Sequence, residues 1–133
     1  MLFRSPNARS CVVRIRAQGQ TVLLTADIEA LQEQQLVQRL GLGLKADLLL
    51  VPHHGSKTSS TEGFIDTVQP RWALFQHGYR NRYGHPAAQV VQRYVSRGIQ
   101  TLYSPQCGAM HWRSDEPLEV QCETELNRRY WRQ

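Results

Sequence analysis

The sequence lacks any long apolar segment. Its longest apolar run, residues 48–52, is far shorter than the roughly 20 residues that a membrane-spanning helix needs. The N-terminus carries Arg4, Pro6 and Arg9 where the apolar part of a secretory signal peptide would lie. We therefore expect the chain, as given, to be soluble.

Cysteine is also scarce. Cys11, Cys107 and Cys122 are odd in number and widely spaced, and they form neither a CxxC pair nor the pattern of a disulfide-rich domain. Each of them lies in an apolar, strand-like stretch. We therefore predict that all three are buried free thiols.

The composition is that of a folded domain, with 41% hydrophobic and 20% charged residues and no repeat or linker. The formal net charge is +5, and much of the excess lies at Arg80 and Arg82 and at Arg128, Arg129 and Arg132. A basic surface attracts polyanions such as nucleic acid. An ordinary solvated face with a basic tail is an equally good interpretation of the charge alone.

Hydrophobic periodicity predicts strands separated by helices, in the order β-β-α-β-α-β-α-β-β-β. In this pattern Asp27 is placed to cap the first helix, and Pro86 to begin the third. The predicted strands are 11–16, 21–25, 47–51, 71–76, 100–103, 108–112 and 118–122, and the helices 28–40, 62–68 and 86–97. Such alternation indicates a layered α/β architecture.

Three polar clusters follow predicted strands, at the end of an α/β sheet where ligands bind. Asp27 ends the first cluster, His53 and His54 form the second, and His85 closes the third. Imidazole is a common zinc ligand, and a neighbouring imidazole can orient substrate or support the first. Taken singly, however, Asp27 could be only a helix cap, and His85 a loop residue satisfied by a local hydrogen bond.

The order and spacing of three segments, LLTADIE, ADLLLVPHHGSKTSS and GYRNRYGHP, resemble a known family. It is the ComEC family of DNA-internalization (competence) proteins, and the similarity is to the distal half of its metallo-β-lactamase-like domain, from about residue 7 to residue 110. The resemblance implies an α/β fold over residues 1–133, the distal half of a metallo-β-lactamase-type αββα sandwich, with a mixed sheet, flanking helices and a basic tail from about residue 124.

The resemblance also implies a site. In the family an aspartate after a hydrophobic strand bridges two metal ions, and Asp27 matches it. A later histidine completes the second metal, which makes His53 or His54 the ligand, with His53 marginally favoured because it is nearer the strand end. Asp27, His54 and His85 are the implied catalytic residues. The implied substrate contacts are Ser56, Lys57, Asn81 and Arg82.

The sequence departs from the family pattern in two places. The principal HxHxDH-like metal motif is absent from these 133 residues, so we expect an incomplete site for zinc or manganese. Ala26 replaces the glycine of the family's LLTGD segment, which is a small change only if its φ angle is negative. With only half the sandwich present, helices should cover one sheet face. Parts of Val12, Leu48 and Leu50 should then be accessible, and homodimerisation through that face becomes possible.

The resemblance implies part of a competence protein for DNA uptake across the bacterial inner membrane, with the membrane side of this domain left open. Its partners would be single-stranded DNA and the membrane-channel part of the parent. The chain would contribute a nuclease-like, metal-dependent hydrolase, active only when an N-terminal half completes it. Two alternatives stay open: a non-catalytic nucleic-acid-binding or regulatory module with a degenerate metal site, and a stand-alone metal hydrolase for a small phosphorylated or ester substrate.

Overall fold

The computed structural model describes residues 6–128, which form a mixed α/β fold. The strands are β1 Val13–Ala17, β2 Gln20–Leu24, β3 Leu48–Leu50, β4 Trp72–Phe75, β5 Gln100–Tyr103, β6 Met110–Trp112 and β7 Val120–Cys122. The α-helices are α1 Ala30–Leu40, α2 Glu62–Val68, α3 Ala88–Val95, α4 Ser104–Cys107 and α5 Glu123–Leu126, and 3-10 turns span Pro6–Arg9, Gly41–Leu44 and Pro52–Gly55. Within this part of the chain no helix is both long and apolar enough to cross a bilayer.

Five strands form one sheet in the order β1-β2-β3-β4-β5. β1 is antiparallel to β2, whereas β2, β3, β4 and β5 are mutually parallel. The predicted α/β class with a mixed sheet and flanking helices is therefore confirmed. The parallel run also has a functional consequence, because the carboxyl ends of four strands meet at one edge of the sheet.

Helices α1, α2 and α3 pack on one face of this sheet. Leu23, Leu49 and Ala73 share a register across β2, β3 and β4, and all three are buried. They belong to one apolar core with side chains of the helices and connecting turns, among them Leu44, Phe64, Ile65, Val68, Val90 and Tyr94. Because α2 contributes Phe64, Ile65 and Val68 from one side of a short helix, its amphipathic pattern fixes which face it presents.

The opposite face is partly covered by the hairpin of β6 and β7. Trp72 on β4 donates its indole N–H to the Pro117 carbonyl in the turn of this hairpin, at 3.1 Å. Leu48, in register with Trp72, is only 4% exposed, so the prediction of an accessible Leu48 is wrong. The apolar side chains that remain open lie on the edge strand instead, where Val13 and Ile15 are 46% and 48% exposed. Homodimerisation through this face stays a prediction.

Val12 and Leu50 are half-buried. Val12 packs against the core on the helical side of the sheet, so it does not belong to an open face.

Two helix starts differ from the sequence prediction. α1 begins at Ala30 with Glu29 as its N-cap, whose backbone N–H donates to the side chain of Gln32 at 3.1 Å. Asp27 is therefore not the cap. α3 begins at Ala88, after a cis peptide bond between His85 and Pro86, so Pro86 is not its first residue.

The predicted antiparallel pair near the C-terminus is confirmed as β6 and β7, but the prediction of three buried free thiols is wrong. Cys107 and Cys122 form a disulfide, and Cys11 is exposed. β7 returns beside β6 and ends next to α4, which brings the Cα atoms of Cys107 and Cys122 to 4.6 Å. This pairing depends on a hairpin that closes 15 residues later, and so spacing alone did not reveal it.

A serine variant tests the disulfide. Cys107→Ser should lower the free energy of unfolding by about 3 kcal/mol, because a cross-link over a loop of this length restricts the unfolded chain by about that amount. The measurement is chemical denaturation monitored by circular dichroism, with Cys11→Ser as the matched control, which should be neutral. Titration of thiols in denaturant without reductant should find one per chain. Three thiols per chain would show that the bond does not form.

Candidate functional site

The candidate site lies at the carboxyl edge of the parallel strands. Asp27 follows β2, His53 and His54 follow β3, His77 follows β4, and Ser104 follows β5. Four loops that are distant in sequence thus contribute polar side chains to one rim. The predicted convergence of Asp27, the histidine pair and His85 is observed in this region.

The turn after β3 has an unusual backbone. His53, His54 and Gly55 are consecutive residues with positive φ angles of 50°, 55° and 81°. Two hydrogen bonds hold the turn: the His53 N–H donates to the Ala26 carbonyl, and the Ala87 N–H donates to the Gly55 carbonyl, both at 2.9 Å. A left-handed conformation is unfavourable for residues with a Cβ, and such strain is commonly kept at functional sites.

Ala26 also adopts the left-handed conformation, with a φ of 48°. Because this φ is positive, the alanine at position 26, where the resemblance implies a glycine, is strained at a cost of about 1–2 kcal/mol. The conformation is retained because the Ala26 carbonyl accepts the bond from His53. The loop after β2 and the loop after β3 are thus fixed to each other at two left-handed residues.

His54 is the histidine that lies beside Asp27. Its Nε2 is 3.4 Å from Asp27 Oδ1, and its Nδ1 is 2.7 Å from the Gln76 carbonyl. A carbonyl only accepts, so Nδ1 carries the proton, and in the neutral ring the lone pair is on Nε2, next to the carboxylate. Both side chains are about half exposed. This geometry favours His54 over His53 as a ligand, contrary to the marginal preference drawn from the strand end.

His53 faces His85. Their ring centroids are 5.6 Å apart with an interplanar angle of 71°. The Tyr83 ring stacks on the His85 ring, with the two centroids 5.8 Å apart. Burial lowers the pKa of His85 below its ordinary value, and charge on His53 and His54 lowers it further. His85 is therefore neutral at pH 7, with both hydrogen-bond donor and acceptor capacity.

The four predicted substrate contacts fall into two groups. Ser56 and Asn81 structure their loops: Ser56 is buried with its hydroxyl 3.1 Å from that of Thr58, and Asn81 accepts from the His85 N–H at 3.0 Å and donates to backbone carbonyls. Lys57 and Arg82 are exposed on the same loops. Lys57 and Arg82 are thus the two predicted substrate contacts whose side chains are exposed to solvent.

The far end of the histidine loop is held by a buried carboxylate. Glu33 on α1 is fully buried and accepts hydrogen bonds from the backbone N–H groups of Ser60 and Thr61 and from the Thr61 hydroxyl. Burial raises the pKa of Glu33, and these bonds oppose the shift. Ser60 is a further left-handed residue, and its hydroxyl lies 2.9 Å from the hydroxyl of Tyr94 in the core.

A cavity of about 490 Å³ opens beside the rim, lined by His54, Gln76, His77, Gly78, Asn81, Tyr83, His85 and Ser104. His77 is a residue of this lining that the sequence motifs do not include. Its backbone N–H and carbonyl both bond to the Ser104 hydroxyl at 2.9 Å, and its Nε2 is buried without a partner among residues 6–128. Its position directly after the predicted strand 71–76 was the available signal.

A metal ion needs more donors than the rim supplies. Structural and catalytic zinc sites use three or four protein ligands. Among the described residues no group of three or more His, Cys, Asp or Glu side chains is arranged to hold a metal. Asp27 and His54 supply two donors at the rim.

A glycine variant tests the geometry of the histidine turn. Gly55→Ala should destabilise the fold by about 2–4 kcal/mol, because a Cβ there would lie 2.7 Å from Pro86 Cβ and 3.0 Å from the Phe75 ring at a positive φ. Gly63→Ala in α2 is the matched control, since it has open space and should be neutral or stabilising by up to about 1 kcal/mol. Equal thermal unfolding temperatures for the two variants would contradict the described turn.

Comparisons with known proteins find relatives among competence and recombination proteins, although no protein-family model matches the chain. The chain is 38% identical over 106 residues to competence protein ComA of Neisseria gonorrhoeae, covering 80% of this chain and 15% of that protein. It is 38% identical over 109 residues to ComE operon protein 3 of Bacillus subtilis (strain 168), covering 82% and 14%.

A third relative is recombination protein 2 of Haemophilus influenzae, which is 40% identical over 93 residues, or 70% of this chain and 11% of that protein. The chain therefore spans only 11% to 15% of the length of these relatives. Over most of its length it is similar to one segment of much longer competence and recombination proteins.

Proposed function

We propose that the chain is a segment of a ComEC-type competence protein that takes up DNA, and that its rim forms part of a metal-dependent phosphodiester hydrolase site. The observation that carries the proposal is the position of His54 Nε2, 3.4 Å from Asp27 Oδ1 at the carboxyl edge of the sheet. The relatives named for competence support the biological role. The metallo-β-lactamase sandwich, of which this sheet would be one half, is part of the same proposal.

In this proposal Asp27 and His54 contribute two ligands to a divalent ion, zinc or manganese. When bound, such an ion lowers the pKa of its water and polarises a phosphoryl oxygen. The further ligands would come from outside residues 6–128, in keeping with relatives several times longer than this chain. The Gln76 carbonyl fixes the tautomer and ring orientation of His54, as partners of metal-bound histidines commonly do.

The remaining rim residues bind and orient the substrate. His85, held neutral, can donate a hydrogen bond from its ring N–H to a phosphate oxygen or to the oxygen of the leaving group. Lys57 and Arg82 supply exposed positive charge for the phosphodiester backbone. In the same proposal the parent lies in the bacterial inner membrane, and its channel part is the neighbour of this segment.

A non-catalytic nucleic-acid-binding module is the second candidate. The specific observation in its favour is that the described residues supply only two metal donors at the rim. In that case Asp27 and His54 would form an ordinary carboxylate–imidazole contact, and DNA binding would depend on exposed cations such as Lys57 and Arg82 and not on a metal ion. The two candidates differ in whether metal binding depends on Asp27.

Metal titration and nuclease turnover test the proposed function. The purified 133-residue chain should bind Zn²⁺ or Mn²⁺ weakly and cleave DNA at no more than the background rate, because two donors do not fix an ion. The same chain within a protein of the relatives' length should bind metal tightly and cleave DNA. There Asp27→Ala should abolish both, while His111→Ala, on β6, should change neither.

Two results would contradict the proposal. Robust, Asp27-dependent cleavage by the 133-residue chain alone would show that its residues form a complete site. Metal binding by the longer protein that is indifferent to Asp27→Ala would favour the non-catalytic module. Isothermal titration calorimetry measures the binding, and release of fluorescent product from a labelled oligonucleotide measures the cleavage.

A further inference from the structure

The loop between β4 and α3 exposes two tyrosines beside the cavity. Tyr79 and Tyr83 are 74% and 67% exposed. Large aromatic side chains are usually well buried in soluble proteins, and exposure of two on one short loop is typical of a binding surface. Nothing in the proposed hydrolytic chemistry uses either ring.

Each tyrosine has the guanidinium of an adjacent arginine over its ring. The Arg80 guanidinium lies 5.2 Å from the centroid of the Tyr79 ring, and the Arg82 guanidinium 4.9 Å from that of Tyr83. Arg82 also donates to the Tyr83 hydroxyl at 2.7 Å. These contacts place aromatic rings and cationic guanidinium groups together at the surface, which is the combination that proteins use to bind single-stranded nucleic acid.

The loop lies in a stretch of one charge sign. The 48 residues from 67 to 114 contain six arginines and no aspartate or glutamate. Arg97 and Arg113 bind Asp66 and Asp115, and Arg93 donates to backbone carbonyls. Arg80 and Arg82 have no carboxylate partner within the described residues, so their charge is available to a polyanion.

The loop is continuous with the candidate site. Tyr83 stacks on His85 at 5.8 Å, and both line the cavity together with His54, whose Nε2 lies next to Asp27. Asn81 holds the loop in shape through its bonds to the backbone of His85 and Gly78. A chain that lies across the tyrosines would therefore lead its next phosphate toward the rim.

We propose that this tyrosine–arginine loop, residues 79–83, is a base-stacking platform for single-stranded nucleic acid. Bases stack on the exposed faces of Tyr79 and Tyr83 or on the guanidinium planes above them, and Arg80 and Arg82 neutralise the adjacent phosphates. Duplex DNA is a poor occupant because its bases already stack on one another. This inference rests on the proposed function, which makes nucleic acid the ligand. It adds to that function a surface, residues 79–83, that selects unpaired strands.

The test compares a single strand with an abasic strand of the same phosphate count, and with a duplex whose bases are already paired. Fluorescence anisotropy at low salt measures binding of the 133-residue chain to a labelled oligothymidylate of about 12 nucleotides, to an abasic strand of the same length, and to a duplex. The oligothymidylate should bind about tenfold or more tightly than the abasic strand or the duplex, because stacking adds to the phosphate contacts.

The variants separate stacking from charge. Tyr79→Ala with Tyr83→Ala should weaken oligothymidylate binding about tenfold or more and leave abasic binding unchanged, whereas the paired Phe substitutions should retain affinity. Arg80→Ala with Arg82→Ala should weaken the binding of all three oligonucleotides and reduce the salt dependence of that binding. Arg39→Ala, an exposed arginine near the end of α1, is the matched control and should change little. Circular dichroism checks that each variant is folded.

Distinct outcomes overturn distinct statements. Equal binding of oligothymidylate and abasic strand, or full binding by the paired alanine variant, would overturn the stacking platform while leaving DNA binding in place. Tyrosine-dependent binding without Asp27-dependent metal binding in the longer protein would leave the platform in place and overturn the hydrolase. Failure of the chain to bind any oligonucleotide would overturn the platform and count against DNA as the ligand.

Discussion

The hydrogen bond from the His53 N–H to the Ala26 carbonyl is the constraint on which the candidate site depends. It joins the loop after β2 to the loop after β3, and both of its residues are left-handed. Parallel pairing of β2 and β3 places the two loops side by side, but pairing alone would not bring a carboxylate to an imidazole. The strained turn does so, by delivering His54 to Asp27 immediately beyond the bond.

The core supports this strained loop from its other end. The Glu33 carboxylate accepts hydrogen bonds from three donors at residues 60 and 61 that would otherwise be unsatisfied, and the Tyr94 hydroxyl on α3 hydrogen-bonds to that of Ser60. A buried carboxylate is costly unless it is fully hydrogen-bonded, so the loop and the helix α1 stabilise each other. The histidine turn is therefore held by hydrogen bonds at residues 53, 55, 60 and 61, whereas the tyrosines of the loop after β4 are solvent-exposed.

Local signals determined which elements the sequence predicted well. Helix α2 and strand β5 agree with prediction, since Thr61 caps the helix through its own side chain and the strand is bounded by Gly98 and Ser104. The prediction of Asp27 as the N-cap of α1 is wrong because Glu29, two residues later, forms a capping box with Gln32. The sequence could not show which of His53 and His54 lies beside Asp27, since the orientation of His54 depends on the Gln76 carbonyl in the loop after β4.

The disulfide has a consequence for the compartment in which the chain works. Such bonds persist in oxidising surroundings and are opened in a reducing cytosol. Reduction would break no covalent link within the five-stranded sheet. The hairpin of β6 and β7, however, would then be held mainly by the backbone hydrogen bonds between its two short strands and by the hydrogen bond from Trp72 to Pro117. The hairpin of β6 and β7, which covers Leu48 and its neighbours, is thus the part of the fold whose stability depends on the redox state of its environment.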